Sequence, residues 1–96
     1  MNNHDTPCTE HVPFGKSEQE GHYLFAIQAG IPLLEALEQA ALAMQCATAI
    51  NEELALGDFH DDRRLRWAAV RLGEWSAALV DASIQGLLAH RSGAEH

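Results

Sequence analysis

The chain has 96 residues with 14 acidic against six basic side chains, a formal charge of −8. That length holds one domain, and the negative field repels phosphate backbones and anionic lipid surfaces, which weighs against nucleic acid and membrane as partners. Two cysteines, Cys8 and Cys46, are too few for a secreted disulfide framework, and Met1 to Glu10 lack the basic-then-apolar order of a secretory leader, so a cytoplasmic protein is expected.

Residues 1–21 mix Asn, His, Pro, Thr, Gly, Ser and Glu without an apolar period, the composition of a flexible tail. A helical hairpin domain over 22–92 follows. Its first part, an arm at 22–29, alternates Tyr23, Phe25 and Ile27 with Leu24 and Ala26 and reads as a short extended strand. No second strand is legible, so the arm is expected to pair with its own copy across a two-fold axis or to lie over the helices.

Gly30-Ile31-Pro32 marks a helix start and Leu56-Gly57 a stop, which predicts a first helix over 32–56. It carries a row of Leu33, Ala36, Ala40, Ala43, Ala47, Ile50 and Leu54 beside a second row of Leu37, Ala41, Met44, Thr48 and Ala55. A short loop, with Asp58 or Asp61 as cap and Asp62 favouring the dipole, leads to an antiparallel second helix over 59–91. One face of that helix holds Leu65, Ala68, Leu72, Trp75, Leu79, Ala82 and Gly86, and a separate row holds Val70, Ala77, Ile84 and Leu88. One partner helix cannot cover both rows. The expected fold is therefore all-α, two long antiparallel helices with a short extended N-terminal arm, pairing as a dimeric four-helix bundle.

The segment Phe25-Ala-Ile27-Gln-Ala-Gly30-Ile31, with Ala36-Leu37, Ala40, Trp67-Ala68-Ala69, Leu72, Glu74 and Ala78-Leu79-Val80-Asp81, resembles a family of short bacterial proteins catalogued as domain of unknown function 3077. The likeness covers about residues 23 to 88 and rests on apolar framework positions. It implies a fold and no chemistry.

Few residues offer chemistry of their own. His4, Cys8 and His11 are of metal-ligating types, but they lack a fourth ligand at recurrent spacing and read as coincidental neighbours in the tail. Glu35, Glu38, Glu52 and Glu53 read as solvated charge, His60 as a loop residue and His90 as a helix end. Cys46, among Leu42, Ala43, Ala49 and Ile50, reads as a packed or half-buried thiol with no base at helical spacing. No catalytic residue, cofactor or phosphate loop is expected, and the chain is not read as an enzyme. Arg63 and Arg71 flank Trp67 at four-residue spacing and, with Val70, Ala77, Ile84 and Leu88, make the expected interface.

The leading expectation is a non-enzymatic homodimeric helical module acting through protein contacts. The alternative is a small-ligand or metal sensor using the bundle core, where Thr48, Ser76 and Ser83 are the seam polar groups, or using the His/Cys tail.

Overall fold

A computed structural model describes residues 6–19, 21–57 and 62–94. In chain order these form β1 (Val12–Lys16), β2 (Tyr23–Ile27), α1 (Leu33–Ala55) and α2 (Arg63–Ala94). The chain is mostly helical, as expected, but it also contains a small antiparallel sheet that the expected all-α fold lacks.

The alanine row of α1 determines how the helices pack. Ala36, Ala40, Ala43 and Ala47 are all buried, at the three- and four-residue spacing that keeps one face toward a neighbour. Opposite them α2 buries Ala69, Ser76, Ala78, Leu79, Ala82 and Ser83. Among the described residues, seven of the ten buried apolar ones are alanines, so the helix axes approach closely while each contact removes little apolar area from water. Ser76 Oγ donates to the Ala40 carbonyl at 2.8 Å across the helix interface. Ser83 Oγ donates back to Leu79 O at 2.7 Å within its own helix.

Pro32 stands just before α1, one residue earlier than the first helical position expected of it. With no side-chain cap there, the amide of Leu33 donates to Pro7 O at 3.3 Å, so a remote segment satisfies a helix-start donor. Gly57, at φ +97°, closes α1 in the left-handed conformation its position suggested. At the other end of the molecule α2 runs three residues past the expected stop at 91, because Gly93 keeps a right-handed φ and so continues the helix.

The start of α2 at 59 and the caps at Asp58 and Asp61 fall outside the described residues. The cap is Asp62, whose Oδ1 accepts from the amides of Arg64 at 2.9 Å and Leu65 at 3.3 Å. The Leu65 amide bond is the main reason its carboxyl titrates below the usual value of 3.8, with Arg64 adding to it. A depressed folded pKa means that the cap is fully effective above pH 3.8 and is lost as pH falls through the lower folded value. Thermal melts at pH 7 should show Asp62→Ala lowering Tm, with Asp62→Asn keeping most of the cap. The gap between wild type and Asp62→Ala should close as pH falls below that lowered folded value.

The expectation of an unpartnered arm in 22–29 is corrected by β1, which lies in the stretch read as a flexible tail. β1 pairs with β2 in the register Val12↔Ile27, Phe14↔Phe25 and Lys16↔Tyr23. Val12 and Ile27 enter the core cluster with Ala36, Ala40, Ala78, Leu79 and Ala82. Pro13 is tolerated because each strand of a two-stranded sheet has a free edge.

Residues 6–11 tie this sheet to the helices. Buried Thr9 accepts from the Ile31 amide at 3.0 Å and donates to Gln28 O at 2.7 Å through its hydroxyl, and its backbone bonds Ile31 O and the Gly30 amide. The Glu10 amide donates to Ala82 O at 3.1 Å, so the segment is laid directly on α2. It passes over Gly86, where a Cβ would overlap the Cys8 carbonyl oxygen and stand 3.1 Å from Thr9 Cα.

The strands and this segment cover one side of the helix pair. On the other side α2 presents Val70, Gly73, Ala77, Val80, Ile84 and Leu87, an alternating three- and four-residue repeat that is mostly exposed, Val70 at 61% and Ile84 at 52%. The corresponding stripe on α1 is Leu34, Leu37, Ala41, Met44 and Thr48, also exposed. Both stripes are rotated from the shared core face in the same sense along their own helices. Because the helices are antiparallel, the stripes open onto the same side.

Candidate functional site

Two surfaces of the fold gather exposed apolar side chains. The first is the bare helical face just described, which has no counterpart of the β layer to cover it. No large hydrophobic side chain is fully buried anywhere among the described residues. Apolar side chains that a larger core would enclose are therefore held at this surface as a contiguous patch.

The second surface is an aromatic trough on the strand side. Phe14 and Phe25, partners in the sheet register, stack with ring centroids 5.4 Å apart. The Arg71 guanidinium lies 5.7 Å from the Phe25 centroid and 5.3 Å from that of Trp67, while Arg71 Nη1 reaches Glu74 Oε1 at 3.1 Å. Trp67, Arg71 and Trp75 stand at four-residue spacing along α2, with Ala68 low between them. The resulting hollow, about 580 Å³, is lined by Phe14, Phe25, Trp67, Arg71, Leu72 and Trp75 among others. A second hollow bounded by Arg63, Arg64, Trp67 and Ala68 continues it toward the start of α2.

The seven interface residues read from sequence thus divide between two surfaces. Val70, Ala77, Ile84 and Leu88 lie toward the bare face and are exposed, while Trp67 and Arg71 belong to the trough and Arg63 to its far end. Of the two arginines expected to stack on Trp67, Arg71 does so. Phe14 was missed because its strand was read as tail, and Gly15 because no local signal announces it. A Cβ on Gly15 would stand 2.8 Å from Phe25 Cδ2 and 3.1 Å from Arg71 Nη1, at φ +71°, so glycine lets the ring and the guanidinium lie against β1.

Other candidates are dispersed. His4 lies outside the described residues, as does His60; Cys8 Sγ turns toward Thr6 O at 3.5 Å, and His11 is exposed. Among the described residues no three His, Cys, Asp or Glu side chains gather in a metal-binding group. Cys46 is exposed rather than packed, since at 100° per residue it falls well to one side of the Ala43 and Ala47 row. Of the seam polar groups, Thr48 faces solvent and the hydroxyls of Ser76 and Ser83 are committed to backbone carbonyls. No helix of the described chain is long and apolar enough to cross a membrane.

Compared with known proteins, residues 8–86 match the family model described as "Protein of unknown function (DUF3077)". The chain belongs to that family. The DUF3077 match takes in β1 and the Cys8–Thr9 segment, which the resemblance over residues 23 to 88 left out, and reaches Gly86, where that segment crosses α2. No curated protein and no solved structure matches the chain.

Proposed function

We propose that this DUF3077 protein is a non-enzymatic homodimeric helical module, its two copies joined through the bare faces of α1 and α2 into a four-helix bundle that carries protein-protein contacts in the cytoplasm. The observation that carries this reading is the placement of two heptad-spaced apolar stripes on one side of the helix pair, with the β layer occupying the other. The exposed area supports it. Leu37, Met44, Val70 and Ile84 on the two stripes are 42–61% exposed in the single chain, apolar surface of the kind that an obligate homodimer interface encloses.

Face-to-face pairing also predicts a shape. The chain measures 56 × 30 × 18 Å, so stacking two copies on their helical faces thickens the particle without lengthening it. Small-angle X-ray scattering should give the forward scattering of two chains and a longest dimension near 56 Å. Forward scattering of one chain, or a length near double, would contradict it.

A further inference from the structure

The trough lies on the strand side of the helix pair, reaching the edge of the proposed dimer face only at Arg63, one heptad before Val70, and its chemistry differs from that of the rest of the surface. Four of the chain's six cations, Arg63, Arg64, Arg66 and Arg71, fall within the first nine residues of α2. Lys16 ends the strand whose Gly15 packs on Arg71. In a protein of charge −8 this gathers nearly all the positive charge at one end, beside its most aromatic hollow.

We propose that the trough binds an extended acidic peptide segment carrying a bulky apolar residue. The apolar side chain enters the hollow between Phe25, Trp67 and Trp75, and neighbouring carboxylates meet Arg63 and Arg64. Three features fit this occupant. Arg71 is held by Glu74 and by two rings, so it serves as a flat stacking wall, while exposed Arg63, and Arg64, which is 93% exposed although it pairs with Asp62 at 3.6 Å, can turn toward an incoming carboxylate. The run from Arg63 to Trp75 spans about 18 Å of helix, the length of roughly five or six extended residues. Charge sets the direction, since a chain of net charge −8 repels an acidic segment, whereas here Arg63, Arg64, Arg66, Arg71 and Lys16 stand against Asp62 and Glu74.

Trp67 and Trp75 are the only tryptophans in the chain and both line the hollow, so their fluorescence reports occupancy. The probe is the acetylated, amidated hexapeptide Asp-Glu-Leu-Phe-Asp-Glu, titrated into full-length protein. A saturable change is expected, with Kd of about 10–100 μM that weakens with salt. The surface variant Arg63→Glu with Arg64→Glu should keep the helical circular dichroism of wild type and weaken binding at least about tenfold. Replacing Leu-Phe in the probe by Gly-Gly should abolish the signal. No saturation below about 1 mM, equal binding of Lys-Lys-Leu-Phe-Lys-Lys, or indifference to the double arginine change would each overturn the proposal.

Discussion

Gly86→Ala is expected to destabilise this protein by about 2 kcal/mol, although the same change in an open helix interior stabilises by about 1 kcal/mol. The added methyl has nowhere to go: its position overlaps the Cys8 carbonyl oxygen and lies 2.7 Å from the Cys8 carbonyl carbon. Both neighbours are backbone and cannot rotate aside. Relief requires residues 8–10 to lift from α2, which stretches the Glu10 to Ala82 bond and strains the Thr9 bonds that fix the turn into α1. Gly93→Ala is the matched control, because nothing lies within 4 Å of its Cβ position and it stands two turns after Gly86 on the same side of α2, off the dimer stripe. Urea unfolding of both variants should move the midpoints in opposite directions. A Gly86→Ala midpoint equal to or above wild type would show that the N-terminal segment does not sit on α2 as described.

The second large effect is expected on assembly. Ile84→Glu should weaken the dimer about 100-fold, close to 2.7 kcal/mol, because a carboxylate placed in the seam must be desolvated without a partner. Ile84 is 52% exposed in the single chain, so the change costs the isolated fold little. Leu24→Glu gives the comparison, since Leu24 is 55% exposed but lies in β2 on the covered side. Sedimentation equilibrium should find Ile84→Glu monomeric at concentrations where wild type and Leu24→Glu are dimeric. Equal behaviour of the two variants would place the interface elsewhere.

The parts of this fold that were legible in the sequence are those encoded by local period. The Ala36, Ala40, Ala43 and Ala47 row follows from spacing alone and is buried where expected, whereas on the Leu79 face of α2 Leu79, Ala82 and Gly86 are buried, Leu65, Ala68 and Leu72 are half-buried and Trp75 is exposed. β1 was not legible because Pro13 and Gly15 occupy alternate positions and leave only Val12 and Phe14 as apolar signal, too few to separate a strand from a tail. Thr9 was invisible for a different reason: its hydroxyl partners, Gln28 and Ile31, lie 19 and 22 residues away. Gly86 was recognised as a small residue near the helix seam, but what approaches it is the backbone of Cys8 and Thr9, a contact only tertiary structure creates. The same limit applies to the trough. Helical spacing brings Trp67 and Arg71 together, whereas Phe14, Phe25 and Gly15 join them only once the sheet packs on α2.

If a second copy completes the bare helical face, light scattering with circular dichroism on one dilution series should find a molar mass twice 10.5 kDa at high concentration, with helicity falling as dilution dissociates the dimer. A fully helical protein of 10.5 kDa at every concentration would contradict it.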